Sequence, residues 1–157
     1  MTLTADILTT VRRISSELRP TALDDLGLSP AIESQAQQFQ TRTCIICHCD
    51  CRLEDIKLTT EQSTAIFRIL QEALTNVLRH AHATKVDIAE EERSGEFVLI
   101  ISDNGIGITA AETAAEGSLG LLGMRERAHL AGGTLEISGL EKHGTTIIVR
   151  VPTHIKM

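Results

Sequence analysis

The sequence predicts an α+β protein built as two layers, with helices on one face of a mixed sheet and a further helix ahead of them. Three observations point there. The middle of the chain holds a long stretch whose apolar residues recur at three- and four-residue steps. Short runs rich in β-branched residues follow it. Few of those runs alternate with helical segments in the βαβ manner, so helices and strands gather into separate layers.

The long stretch is residues 67–83, FRILQEALTNVLRHAHA, read as one helix with a buried stripe of Ile66, Leu70, Ala73, Leu74 and Val77. Glu72, Asn76 and His80 recur at four-residue steps on an adjoining face. A carboxylate one turn from a carboxamide presents oxygens of the kind magnesium prefers. The same spacing also fits an ordinary amphipathic helix with a polar outer side. Residues 58–61 lead into this helix, with Thr60 as its cap and Ser63 in place of the Glu of a capping box.

Ahead of it, Leu3, Ile7, Val11, Ile14 and Leu18 form a stripe over residues 3–18, and Pro20 ends that helix. Such a stripe needs cover, and another copy of the helix in a bundle is the preferred one. Residues 21–27 read as a connector anchored by Leu23 and Leu26. Ser29 and Pro30 mark the start of a helix running through residues 31–40. Residues 43–51 read as a strand.

Beyond the long helix, residues 85–89 and 97–102 read as strands around a Ser94-Gly95 hairpin turn. A helix over residues 124–131 is stopped by Gly132-Gly133, and two more strands follow at residues 134–138 and 145–151.

The bulk numbers bound the function. The 157 residues suit one domain plus a short appendage, and 42% hydrophobic residues suffice for a core. With no Trp or Tyr and three Phe, that core is aliphatic. The formal charge of −6, from 21 acids against 15 bases, argues against nonspecific nucleic-acid binding. The sequence has no apolar run of membrane-spanning length and no secretory signal.

Two glycine-containing segments carry chemistry or plain turns. Asp103-Asn104-Gly105-Ile106-Gly107 follows a strand. Glycine lets such a backbone lie flat on a ligand, and the Asp could accept from an exocyclic amine; it could equally close an Asx turn. Gly117 to Gly123 precedes a helix, where exposed amides suit phosphate oxygens, and where a flexible loop with a cap is equally at home. It is neither a Walker loop nor a dinucleotide loop.

The four cysteines cluster at positions 44, 47, 49 and 51. Cys-x-x-Cys-His matches haem attachment, and the set has zinc chemistry. A strand, however, puts Cys47, Cys49 and Cys51 on one face and His48 and Asp50 on the other. That favours half-buried structural thiols in a reducing compartment.

Taken in order, these pieces resemble the ATP-binding domain of sensor histidine kinases, nearest to the nitrate-sensor and DesK-like branch. The fold is the Bergerat type shared with type II topoisomerases, Hsp90 chaperones and MutL proteins. The likeness rests on Leu18-Arg19-Pro20 with Leu26-Gly27-Leu28, on Phe67 to Val77 with His80-Ala81, on Asp103 to Gly107, on Gly120 to Ala128 and on Gly144-Thr145.

The resemblance implies that Asn76 coordinates the magnesium of ATP-Mg2+, with Glu72 as its polar partner, binding a metal water or helping the acceptor lose its proton. It implies that Asp103 reads adenine and that Gly105 and Gly107 fit the backbone to base and ribose. Gly120, Leu121, Gly123 and Met124 lie in the motif whose glycines sit near the phosphates, Thr145 supports the adenine pocket, and residues 108–119 form a short lid. Residues 1–20 are similar to the second helix of a dimerisation pair, and residues 21–157 to the ATPase domain. The acceptor-histidine segment of this branch is not in the sequence, so the expectation is a catalytic half that does not phosphorylate itself. The implied partners are the phosphoacceptor dimerisation domain of a homodimeric parent and a response regulator with a helix-turn-helix output domain. The implied place is the cytoplasm, with a parent anchored in the inner membrane as one form.

Overall fold

The computed structural model describes residues 21–108 and 119–153, together with Ile7. The helix expected over residues 3–18, the division at residue 20, Gly117 and most of the expected lid lie outside the described residues.

Two helices open the described chain, α1 (Thr21–Leu26) and α2 (Leu28–Thr43), followed by β1 (Ile46–Asp50). Next come α3 (Thr60–Asn76) and a π-helical turn (Val77–Ala81). The hairpin of β2 (Lys85–Arg93) and β3 (Glu96–Asp103) leads to α4 (Leu119–Leu130), and a second hairpin, β4 (Thr134–Leu140) and β5 (Gly144–Pro152), closes the fold. The strands form one sheet in the order β1-β2-β3-β5-β4. β1 and β2 pair in parallel, which requires a crossover, and α3 supplies it. The other pairs are antiparallel, so the sheet is mixed as expected.

Register explains the layers. Ile88, Ile101, Ile147 and Ile137 stand opposite one another across four strands, and so do Leu99, Val149 and Leu135. Residues directly opposite point to the same side. That side packs into one core with Ile66, Ile69, Leu70, Ala73 and Leu74 of α3, Ile32 and Phe39 of α2, and Met124 and Ala128 of α4. The whole stripe expected on the long helix is buried.

The boundaries differ from expectation for local reasons. Thr59, not Thr60, caps α3: its side chain accepts from the Gln62 amide at 3.1 Å while the Gln62 side chain accepts from the Thr59 amide at 2.9 Å. Gln serves in a capping box as Glu does. The Gln62 amide group also donates to the Ala131 and Pro152 carbonyls at 3.1 Å, tying α3 to the ends of α4 and β5. Residues 67–83 are not one regular α-helix, because the α-helical part ends at Asn76 and a π-helical turn completes it. Residues 21–26 are helical rather than a connector, with Leu23 buried and Leu26 exposed. α4 begins at Leu119, five positions before the expected Met124, so Gly120 and Gly123 are helical.

Ser29 does not cap α2. Gly27 holds that place at φ 83°, a conformation glycine takes readily. The Ser29 hydroxyl instead faces Glu90 Oε2 at 2.8 Å and the Leu53 carbonyl at 3.1 Å. Glu90 lies opposite Leu99, inside the core-facing row, and its Oε1 is buried with no hydrogen-bond partner among the described residues. Burial is the main cause that pushes its carboxyl above the usual range; Asp50 adds to the rise, while bonds from Ser29 and the Leu53 backbone oppose it.

A carboxyl raised on folding favours the native state most at low pH, and that contribution is lost as pH climbs through the native value. Glu90→Gln cannot ionise. Its stability relative to wild type is therefore expected to increase from pH 5 to pH 8, read from urea midpoints at each pH. A difference that stays flat with pH would show that Glu90 does not titrate abnormally.

The cysteine strand follows the expected alternation. Cys47 and Cys49 are half-buried, Cys51 is buried, and His48 and Asp50 are exposed. All four thiols are free. Burial, with Cys49 and Asp87 adding, pushes the Cys47 thiol up to about 11. A hydrogen bond with Cys49, followed by burial, pushes Cys51 up as well. At neutral pH both remain thiols, the form that packs as a small apolar group.

Candidate functional site

The helix layer and the sheet part at one end of the molecule around a cavity of about 560 Å³. Its apolar wall comes from Ile101, Ile137 and Ile147 on three strands, with Ala73 and Val77 from the helix side. Its polar groups arrive from separate elements. Glu72 and Asn76 come from the last turns of α3, Arg79 and His80 from the π-helical turn, Asp103 from the end of β3, and Thr145 from the start of β5.

The Asp103 end is built by backbone geometry. Asp103 Oδ1 accepts from the Gly105 amide at 2.8 Å and from the Thr145 amide at 3.4 Å. No such bond reaches Oδ2 among the described residues. The Thr145 hydroxyl accepts from the Ile108 amide at 3.0 Å and holds the chain where the expected lid begins. On the other side, the Ile106 amide donates to the Ala81 carbonyl at 2.8 Å. Gly105 is required there, because a Cβ would overlap the Ala81 carbonyl. The turn is thus pinned between the end of the helix and the β4–β5 hairpin.

The Glu72 end is different. The first turn of α4 lies so close that a Cβ on Gly120 would overlap Glu72 Oε1 and stand 3.6 Å from Asn76 Oδ1. Both side-chain oxygens therefore converge on the α-carbon of Gly120. No group of three or more His, Cys, Asp or Glu side chains among the described residues could hold a metal ion by itself. A cation here would need further oxygens from a ligand or water, the habit of magnesium beside phosphates.

Of the residues expected at the site, the fold brings Glu72, Asn76, Asp103, Gly107, Gly120, Leu121 and Thr145 to the cavity wall. Gly105 is buried behind the turn. Gly123 and Met124 are not on the wall; Met124 is buried in the core and Gly123 has open space where a Cβ would be. Arg79, not among the residues expected from the sequence, lines the cavity beside His80. Its signal was its position three residues after Asn76, on the same helical face.

The sequence profile of the histidine kinase-, DNA gyrase B- and HSP90-like ATPase family matches residues 61–155, and the chain belongs to that family. Within it, the chain is similar in sequence to histidine kinases. It is 39% identical over 142 residues to the signal transduction histidine-protein kinase/phosphatase DegS of Brevibacillus brevis, covering 90% of this chain and 36% of the relative. It is 34% identical over 142 residues to the oxygen sensor histidine kinase NreB of Staphylococcus carnosus, covering 90% and 41%. The chain thus spans well under half of either relative. The ATP binding domain of PrrB from Mycobacterium tuberculosis superposes with a TM-score of 0.63 at 21% identity, over 82% of this chain and 92% of that one. The histidine kinase domain of the Erythrobacter litoralis blue-light activated kinase gives 0.66 at 22% identity, over 80% and 61%. These two likenesses concern the fold.

Proposed function

We propose that this domain binds ATP-Mg2+ and is the catalytic half of a sensor histidine kinase of the nitrate-sensor and DesK-like branch. The observation that carries the reading is the Asp103 carboxylate at the cavity wall. One oxygen is held by two amides, which leaves the other to accept from the exocyclic amine of adenine. The apolar wall of Ile101, Ile137 and Ile147 suits the base, and Gly107 lets the backbone pass close to base and ribose.

Glu72 and Asn76 would hold magnesium together with the phosphates, and the ion would neutralise phosphate charge during transfer. Arg79 adds a positive charge on the same wall, where Gly120 and Leu121 also lie, and the start of α4 would meet the phosphates. Glu72 also stands where it can take the proton of an attacking imidazole. Met124 acts at a distance by seating α4 in the core, and Gly123 keeps that helix's outer side open. The rest of the chemistry is in-line positioning by these groups.

The acceptor histidine comes, in this reading, from the dimerisation domain of a homodimeric parent. The phosphoryl group then passes to a response regulator with a helix-turn-helix output domain. The resemblance to sensor kinases assigns the domain to the cytoplasmic side; among the described residues no helix is long and apolar enough to cross a membrane.

The test mixes the chain with radiolabelled ATP, magnesium and a separate polypeptide carrying the acceptor helix pair of this branch. Label transferred to the acceptor, and no transfer when EDTA is present from the start, is the expected result. A folded chain that shows no saturable ATP binding would overturn the reading.

A further inference from the structure

The turn that carries Asp103 is fastened at its outer side by one residue, Asn104. Its side-chain oxygen accepts from the Thr84 amide at 2.9 Å and the Lys85 amide at 3.0 Å. Its side-chain nitrogen donates to the Thr84 hydroxyl at 2.8 Å. The backbone amide of Asn104 adds a fourth bond, to the Lys85 carbonyl at 3.2 Å. Asn104 is itself exposed. An exposed carboxamide ordinarily spends its bonds on water, whereas here three of them close onto one short piece of chain.

That piece matters because of what precedes it. Thr84 follows the π-helical turn that carries Arg79 and His80, and His82 between them takes a left-handed conformation at φ 50°. The chain therefore reverses tightly between the helix and β2. The β2–β3 ladder sets the spacing as far as Val86 opposite Asp103, and the Asn104 side chain extends the tie one step beyond it, to Thr84 and Lys85. The Ile106 amide on the Ala81 carbonyl is the second tie. Between them, Asp103 is held at a set distance from the end of the helix that presents Asn76, Arg79 and His80.

We infer that Asn104 is a positioning residue of the nucleotide site. Its carboxamide locks the Asp103 turn to Thr84 and Lys85, and so fixes the carboxylate that reads the base relative to the groups that face the phosphates. The inference rests on the ATP reading above.

The test compares Asn104→Ala with Asn104→Asp in the same chain. Aspartate keeps an acceptor for both amides and can accept from the Thr84 hydroxyl; alanine keeps neither. Affinities for ATP and for GTP, each with magnesium, are measured by calorimetry beside urea midpoints. Alanine is expected to weaken ATP binding by about tenfold or more, in line with losing hydrogen bonds that hold a site in shape, and to narrow the preference for ATP over GTP. Aspartate should restore most of both. A merely structural role would lower the urea midpoint and leave the ATP to GTP ratio unchanged.

If wild type binds ATP and folded Asn104→Ala binds it equally well with the same ratio, the inference is overturned. Equal losses in the alanine and aspartate variants would overturn it too. If wild type itself fails to bind ATP, the functional reading has failed, and the inference falls with it. Should the alanine variant not fold, Thr84→Val removes one of the three side-chain bonds and gives a graded form of the test: a smaller loss of ATP affinity is expected, and an unchanged affinity and ratio overturns the inference.

Discussion

Asp103→Asn is expected to lower ATP affinity by about 100-fold while leaving the fold intact. The substitution keeps the side-chain shape, and the remaining oxygen can still accept from the Gly105 and Thr145 amides that hold it now. The turn therefore survives. What changes is the other arm, where an acceptor oxygen becomes an amide donor facing the donor amine of the base. A lost charged hydrogen bond and a donor set against a donor cost about 2–3 kcal/mol together, and each 1.4 kcal/mol is about tenfold in affinity. Titration with a fluorescent ATP analogue measures the loss, and a urea midpoint close to wild type shows that the fold is not its source. Undiminished affinity would place the base elsewhere in the cavity and remove the observation on which the functional reading stands.

Much of this was legible in the sequence, and the failures have physical causes. The helix stripe followed from periodicity, because burial of one face leaves a regular mark; the mixed sheet followed from the order of helices and strands, and its buried strand at residues 97–102 from an unbroken apolar, β-branched run. Glu72 and Asn76 on one wall followed from four-residue spacing, and Asp103 from its place after a strand. Boundaries were less legible. Leu119 to Gly123 holds two glycines and reads as loop, yet it is helical. Packing on α3 accompanies that conformation, with Gly120 lying against the Glu72 side chain. The change to a π-helical turn after Asn76 is also a tertiary effect. It left no periodic signal of its own, and Arg79, although three residues after Asn76, reads from the sequence as an ordinary helix-surface cation. Glu90 was invisible for the opposite reason. It looks like the first of three surface acids in Glu90-Glu91-Glu92, and only the register with Leu99 shows that it points inward.

Gly144→Ala is the substitution expected to do the greatest damage to fold and site together. Gly144 opens β5 at φ 86°, and a Cβ there would overlap the Asp103 carbonyl. A side chain in such a conformation costs about 1–3 kcal/mol. The overlap adds to that, because its partner is backbone in the adjoining strand and cannot turn aside as a flexible side chain could. Relief requires β5 to move away from β3, and the next residue is Thr145. Its amide bond to Asp103 and the Ile108 bond to its hydroxyl would loosen at the same time. The expected result is a loss of roughly 3 kcal/mol or more of stability in urea unfolding, together with weaker ATP binding in whatever fraction remains folded. Gly123→Ala is the contrast. That glycine lies inside α4 with nothing within 4 Å of a built Cβ, so alanine should fit and stabilise the helix by about 0.5–1 kcal/mol. If both variants lost stability alike, loss of glycine in general, rather than the approach of β5 to Asp103, would be the cause. If Gly144→Ala matched wild type in both stability and ATP affinity, the close passage of β5 behind Asp103 would not be what holds this end of the cavity.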